Sequence, residues 1–257
     1  MTSPSVTPIH SRDNAFVKDL RRLAQDSTAY RKQGRVWLEG DHLCRAALER
    51  HKRPAVAVFA ESFWPLAQVE WAQAAPKIIV LSDALFAEIS GLESPARMGF
   101  LLDLAPPAAL RPDAATVVLD RVQDAGNVGS ILRSASAFGF RQVVAVKGSA
   151  ALWSPKVLRA GMGAHFALDL IEGVEHAELQ ALQVPLLVTS SHAGDWLHRA
   201  ALPWPCAWVM GHEGQGVSPV LEERSALLIR IAQPGGEESL NVAAAAAICL
   251  HASGAAR

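Results

Sequence analysis

Apolar positions along the chain alternate between two periods. Within 12–33, Phe16, Val17, Leu20 and Leu23 recur at helical spacing among charged residues, which predicts a helix over that segment. Short apolar runs follow, predicting strands at 36–38, 55–60, 77–81 and 100–104, with helices at 42–50 and 83–89 between them. Strands alternating with helices predict a small α/β domain. The segment APPAALRPDAA (105–115) interrupts this rhythm with proline and alanine and marks an interdomain linker, assigned to 106–115. The βα rhythm then returns more strongly. Strands are predicted at 116–119, 143–146, 167–171, 185–189 and 207–210, with one more running into Pro234-Gly235-Gly236. Helices are predicted at 130–138, 154–161 and from 241 to about 251. Continuously apolar strands of this kind fit a parallel sheet covered on both faces. The expected organisation is a basic N-terminal helix (1–33), a small α/β domain (34–105), the linker, and a larger α/β domain (116–257).

Composition narrows the function classes. The chain has 257 residues, is 50% hydrophobic and 19% charged, and carries a formal net charge of −1. Bulk charge therefore gives no reason to expect a protein that coats nucleic acid, although a local basic face remains open. Positive charge does concentrate between 12 and 35, where Arg12, Lys18, Arg21, Arg22, Arg31, Lys32 and Arg35 face only Asp13, Asp19 and Asp26. Charge alone reads this as a solvated helix face; the functional alternative is an arm that meets phosphate. Cys44, Cys206 and Cys249 are an odd, widely spaced set without a C-x-x-C pair, which points to a reducing compartment. The N-terminus shows no signal-peptide pattern, and no apolar run reaches membrane-spanning length. A cytoplasmic protein with no membrane partner is expected.

Three loops, each after a predicted strand, carry the polar chemistry, and strand C-termini are where α/β proteins build sites. The first is LDRVQDAGNVGSILRSASAFGF (119–140), with Asn127 and Gly129 expected in the turn and Arg133 one helical turn into the next helix. Ser130 to Arg133 are thereby expected near a helix N-terminus that welcomes an anion. The second, WVMGHEGQGVS (208–218), is glycine-rich and holds Glu213; it lacks the Gly-Lys-Ser/Thr of a P-loop. The third, IRIAQPGGEESLNVAAAAAICLHA (229–252), opens an alanine-rich helix behind Ser239 and Asn241. Each part has an ordinary explanation on its own: a turn, a bend, Ser239 as a helix cap, or small residues serving a helix–helix contact. Gly161-Met162-Gly163 is only a partial dinucleotide fingerprint, since Phe166 replaces its third glycine. The nine histidines show no metal spacing, so no metal site is expected.

Taken in order, N-x-G-x-x-x-R (127–133), G-x-E-G-x-G (211–216) and E-S-L-N-V (238–242) resemble the SpoU (TrmH-like) family of RNA ribose 2′-O-methyltransferases. WSPKVLRAGMGAHF (153–166) resembles the segment between that family's first two motifs. VWLEGDHLCRAAL (36–48) is similar to the ribosomal-protein-like RNA-binding domain of many members, and RDNAFVKDLRRLA (12–24) to their leading helix. The resemblance implies a SPOUT-type α/β domain with a trefoil knot and a homodimer with active sites at the subunit interface. S-adenosylmethionine is the implied cofactor, and the implied substrate is RNA, ribosomal in preference to transfer RNA because of the additional domain. Carried over by position, Gly211, Ile231 and Leu240 bind the cofactor through backbone groups, and Thr189 begins another loop lining that pocket. Asn127, Arg133, Glu213, Ser239 and Asn241 form the polar catalytic cluster, with Asn127 and Glu213 holding Arg133. The implied contact with RNA raises Arg12, Lys18, Arg21, Arg22 and Arg35 from a solvated face to RNA-binding candidates. Two positions depart from the family pattern: Ala232 stands where a proline is common, and His212 where asparagine is common. His212 is expected to be an exposed spectator. The alternatives are a non-catalytic RNA-binding protein with the same fold, or a methyltransferase acting on a base nitrogen.

Overall fold

A computed structural model describes residues 4–92, 94–190, 193–235 and 239–255. Gly236, Glu237 and Glu238, which belong to the third loop, lie outside the described residues. The chain forms two compact units, one of residues 1–106 together with 153–166, the other of 107–152 together with 167–257.

In the first unit, β1 (Ser5–Ile9), β2 (Arg35–Glu39), β3 (Val56–Ala60), β4 (Lys77–Leu81) and β5 (Met98–Asp103) form a mixed sheet in the order β1-β4-β3-β5-β2. The pairs β1·β4 and β4·β3 are parallel, while β3·β5 and β5·β2 are antiparallel. The helix expected over 12–33 is two helices, α1 (Ala15–Gln25) and α2 (Ala29–Gln33). The break lies at Asp26, whose Oδ1 accepts hydrogen bonds from the backbone N–H and the hydroxyl of Thr28, at 2.8 and 3.0 Å. Such a local carboxylate turn competes directly with helix continuation. Helix α1 starts at Asn14, whose Oδ1 accepts from Phe16 N–H, and buries Val17, Leu20, Leu23 and Ala24. The short helices α3 (Asp41–Glu49), α4 (Val69–Ala72) and α5 (Asp83–Ile89) complete this stretch.

In the second unit, β6 (Thr116–Asp120), β7 (Gln142–Val146), β8 (Asp169–Val174), β9 (Leu186–Thr189), β10 (Asp195–Trp196), β11 (Ala207–Gly211) and β12 (Leu227–Arg230) form one sheet. Its order is β10-β12-β9-β11-β6-β7-β8, and every pair is parallel. Strands β6, β7 and β11 are buried along their whole length, as continuously apolar strands require. One face of the sheet packs Val118, Val144, Val188 and Val209 against Leu179, Leu182 and Leu221. On the other, Trp208 donates from Nε1 to Ser253 Oγ at 2.9 Å and ties β11 to the last helix. Residues 107–115, without regular structure, are held to this unit. Gln142 exchanges two hydrogen bonds with the Arg111 backbone, and Arg111 pairs with Asp169 at 2.9 Å.

Helix α6 (Ala125–Ala137) begins five residues before the expected 130, because Asp124 caps it by accepting from Asn127 N–H at 2.7 Å. Asn127 and Gly129 are therefore inside the helix, and Arg133 lies beyond its first turn, which removes Ser130 to Arg133 from the N-terminal anion position. Helix α7 (Pro155–Gly161), capped by Ser154, belongs to the first unit, where it packs on α1 and β2. The strand expected at 167–171 begins at Asp169 because Ala164–Ala167 form a 3₁₀ turn. The short α8 (Pro219–Glu222) follows the glycine-rich loop, and α9 (Val242–Ala255) closes the unit.

Candidate active site

Parallel strands end together, so the loops that follow them share one edge of the sheet. Gly211 ends β11 and is paired in register with Asp120, which ends β6; Thr189 ends β9 and is paired with Ile229, two residues before Ile231. Strands β12, β9, β11 and β6 are consecutive in the sheet. The expected cofactor positions Thr189, Gly211 and Ile231 thus stand on three adjacent strand ends. Thr189 and Ile231 are half-buried, and Leu240 is 39% exposed. Gly211 has no room for a side chain: a Cβ there would lie 2.4 Å from the carbonyl carbon of Gly216 and 2.4 Å from the nitrogen of Val217. The 212–218 loop folds back that closely over the end of β11, closed by paired hydrogen bonds between His212 and Gly216.

The three motifs meet through side chains. Asn241 Nδ2 donates to Asn127 Oδ1 at 3.0 Å, and Asn127 Nδ2 donates to Glu213 Oε1 at 3.1 Å. Asn241 Oδ1 meanwhile accepts from Ala243 and Ala244 N–H, at 2.9 and 3.2 Å, so Asn241, and not Ser239, caps α9. Glu213 also accepts backbone N–H groups of Gln123 and Asp124 at 3.3 and 3.1 Å. Partial burial favours its protonated form, but these donors, its own backbone N–H and Asn127 outweigh that and hold the carboxyl below its ordinary range. Glu213 is therefore a fixed anion with its acceptor positions largely filled.

Arg133 stands apart from this network. It is exposed and has no hydrogen bond or ion pair among the described residues. Six residues along α6 from Asn127, it points about 120° away around the helix axis, so Asn127 and Glu213 hold each other and do not hold Arg133. Ser239 is exposed, two residues ahead of the cap. His212 is no spectator: its Nδ1 accepts N–H groups of Gly214 and Gln215 at 2.9 and 3.2 Å. The basic residues of the N-terminal stretch are mostly partnered. Arg12 and Arg21 both reach Glu88, Lys18 reaches Asp13, and Arg35 reaches Asp103, while Arg22 occupies the last turn of α1.

A second polar cluster lies beneath the glycine-rich loop, and the motif spacing did not single it out. Asp120, fully buried, accepts from Ser218 N–H at 2.6 Å, lies 2.9 Å from His176 Nε2, and receives Arg121 Nε at 3.2 Å. Burial alone raises the Asp120 pKa, but bonds from His176, Ser218 and Arg121 prevail and lower it. A lone aspartate ending a buried apolar strand was the available signal, since such a charge must find partners.

Comparison with known proteins agrees with this arrangement. A model of the SpoU rRNA methylase family matches residues 114–251, and a model of the MRM3-like substrate binding domain matches 14–98. An uncharacterized tRNA/rRNA methyltransferase of Synechocystis is 31% identical, covering 96% of this chain and 93% of that protein. A 23S rRNA (guanosine(2553)-2′-O)-methyltransferase of Bacillus subtilis is 29% identical, covering 95% of this chain and 97% of its own. The crystal structure of an AdoMet-bound rRNA methyltransferase from Sinorhizobium meliloti superposes with a TM-score of 0.82 at 25% identity, covering 96% of this chain and 97% of that one. With the family model spanning more than half of its length and its motif loops joined at one sheet edge, the chain belongs to the SpoU rRNA methylase family.

Proposed function

We propose that this protein transfers a methyl group from S-adenosylmethionine to a ribose 2′-hydroxyl of ribosomal RNA. The observation that carries the reading is the hydrogen-bonded series Asn241–Asn127–Glu213, which draws residues 114 and 86 positions apart to one edge of a parallel sheet. The rRNA specificity named for the Bacillus relative, and the cofactor named for the Sinorhizobium structure, support the substrate and the methyl donor.

The strand-end loops suit that cofactor. They offer backbone groups at Thr189, Gly211 and Ile231 and partly exposed apolar side chains at Ile231 and Leu240. Gln233 adds a buried Oε1 that has no hydrogen-bond partner among the described residues, an acceptor suited to a donor on a ligand. The bound cofactor supplies a methyl group on sulfur that is already electrophilic. The protein's share is orientation of the hydroxyl and help with its proton, and positioning of this kind can supply much of a rate enhancement. Arg133 binds the phosphate beside the target ribose and orients the hydroxyl, since a guanidinium is a poor base. Asn127 and Asn241 present amide groups to the ribose, Ser239 borders the hydroxyl's approach, and Glu213 fixes Asn127.

A homodimer and a knotted C-terminal path belong to the same reading. Helix α9 is composed mostly of apolar residues yet leaves Ile248 40% exposed, a surface suited to a second copy. Arg133, exposed and outside its own chain's network, suits a site completed by that copy. For the knot, the support is the return of α9 to β11 and α6 after β12 has paired outside β9. An Ile248→Glu protein is expected to elute at the mass of one chain in size exclusion with light scattering; a retained dimer contradicts the use of α9. A cytoplasmic setting fits the buried thiols of Cys44 and Cys249, the latter pushed up to about 12 by burial.

The decisive experiment is methyl transfer to ribosomal RNA and to transfer RNA, followed by digestion and mass analysis of the nucleosides. Ribose-methylated nucleosides from ribosomal RNA are expected. Base-methylated products, or no transfer despite cofactor binding, overturn the reaction. Arg133→Ala is expected to lower kcat on the order of 100-fold, the scale of losing one transition-state contact, while calorimetry shows cofactor binding retained.

A further inference from the structure

We infer that Asp120 is a positioning residue for this reaction: its buried carboxylate sets the loop that carries Glu213. The inference rests on the function proposed above, and Asp120, Ser218 and His176 lie outside the three motifs. Strands β6 and β11 are parallel neighbours, so the chains leaving them at Asp120 and Gly211 have no ladder left to pair them. Side chains replace that ladder. Asp120 Oδ2 accepts Ser218 N–H at 2.6 Å, Arg121 donates from its guanidinium to Gln215 Oε1 at 3.0 Å, and Gln123 and Asp124 donate their N–H groups to Glu213 at 3.3 and 3.1 Å. As the first segment advances from 120 to 124, its partners on the second run back from 218 to 213. The two loops are laced antiparallel, with a carboxylate from each accepting backbone N–H groups of the other.

The two ends of the lacing are not equal. Asp120 is fully buried and its bond to Ser218 is the shorter, whereas Glu213 is exposed at the rim. The same His176 Nε2 lies 2.9 Å from Asp120 and 3.2 Å from Ser218 Oγ. A nucleophilic relay needs the base to use opposite ring nitrogens for acid and nucleophile, so this trio does not activate Ser218; it closes a knot of hydrogen bonds around its backbone. Arg121, with φ of 63°, holds a left-handed conformation uncommon for a side-chain-bearing residue, and its guanidinium reaches both Asp120 and Gln215. Neutralising Asp120 loosens the base of the loop while leaving Glu213's own donors in place.

A double-mutant cycle separates positioning from direct participation. Asp120→Asn is expected to lower kcat about tenfold, the order that a small misplacement costs, with KM for RNA unchanged. In a Glu213→Gln background the same change is expected to cost less than about twofold, because the loop it places has already lost its carboxylate. Equal losses in both backgrounds overturn the inference. Should Asp120→Asn fail to fold, Ser218→Pro deletes the N–H that Asp120 accepts together with the hydroxyl that meets His176, and Ser218→Ala, which removes the hydroxyl alone, is its control: Ser218 has φ of −64°, which proline adopts. The proline variant is expected to show the same tenfold loss and the same dependence on Glu213, and wild-type turnover in this variant refutes the claim. Amide hydrogen exchange over 214–218 needs no turnover. Faster exchange there in Asp120→Asn is expected even if the substrate is not ribosomal RNA, and unchanged exchange counts against the positioning role whatever the reaction proves to be.

Discussion

His212 shows how a residue that departs from a family pattern can still satisfy the same physical need. Its Nδ1 accepts two backbone N–H groups two and three positions ahead, which is what an asparagine side-chain oxygen does in an Asx turn. His212→Asn is therefore expected to keep cofactor affinity within about twofold. His212→Ala strands both donors, and at about 1 kcal/mol for a lost bond it is expected to weaken the affinity roughly fivefold by calorimetry. Asn127, Glu213 and Asn241 were legible from motif order because each is short, polar and placed after an apolar strand. Arg133's separation from them was not, because it depends on where α6 starts. That start is set by Asp124, one more acidic residue in a polar turn, and an error of five residues there rotates every later position around the helix.

At the scale of elements, apolar segments such as β4 at 77–81 and α5 at 83–89 were readable despite their shortness, whereas β1, α4, β10 and α8 and the interruption within 12–33 were not. Strand β1 is five residues with Pro8 inside it, a pattern that argues against a strand unless it sits at a sheet edge, and an edge is where β1 lies. The break between α1 and α2 escaped because apolar spacing continues across it while one Asp–Thr turn overrides the spacing. Gly161 and Gly163, read as a partial ligand fingerprint, instead terminate α7. Gly163 has φ of 86° and would bring a Cβ within 2.4 Å of Ala46 Cβ on α3. Gly34, which ends α2 at φ 65°, has nothing within 4 Å of the same point. Gly34→Ala is thus expected to cost about 1 kcal/mol, the left-handed strain alone. Gly163→Ala adds the clash and is expected to cost about 3 kcal/mol or more, both measurable by chemical denaturation. Similar costs at the two sites contradict the packing role of the α7 terminus.

For the whole molecule, near-zero net charge hides a local balance. Arg12 and Arg21 share Glu88, so the basic stretch meets solvent already half-neutralised. Exposed pairs of this kind are worth little, and RNA phosphate can displace the carboxylate. If the stretch contacts RNA, an Arg12→Ala/Arg21→Ala protein is expected to lower the slope of log affinity against log salt by about 1 to 2, and Glu88→Gln to raise affinity. An unchanged slope for the double variant removes the stretch from the RNA surface. The passage of residues 153–166 into the first unit, while both flanks lie in the second, bears on how the protein is made. Domains generally fold N-terminal first during synthesis, yet here α7, with buried Val157 and Leu158, supplies part of the cover of α1 and β2. On the ribosome the first unit stays uncovered until β6, α6 and β7 have all emerged. A gene fragment ending at the linker would encode an incomplete product, and a nascent chain paused there would offer apolar surface to a chaperone.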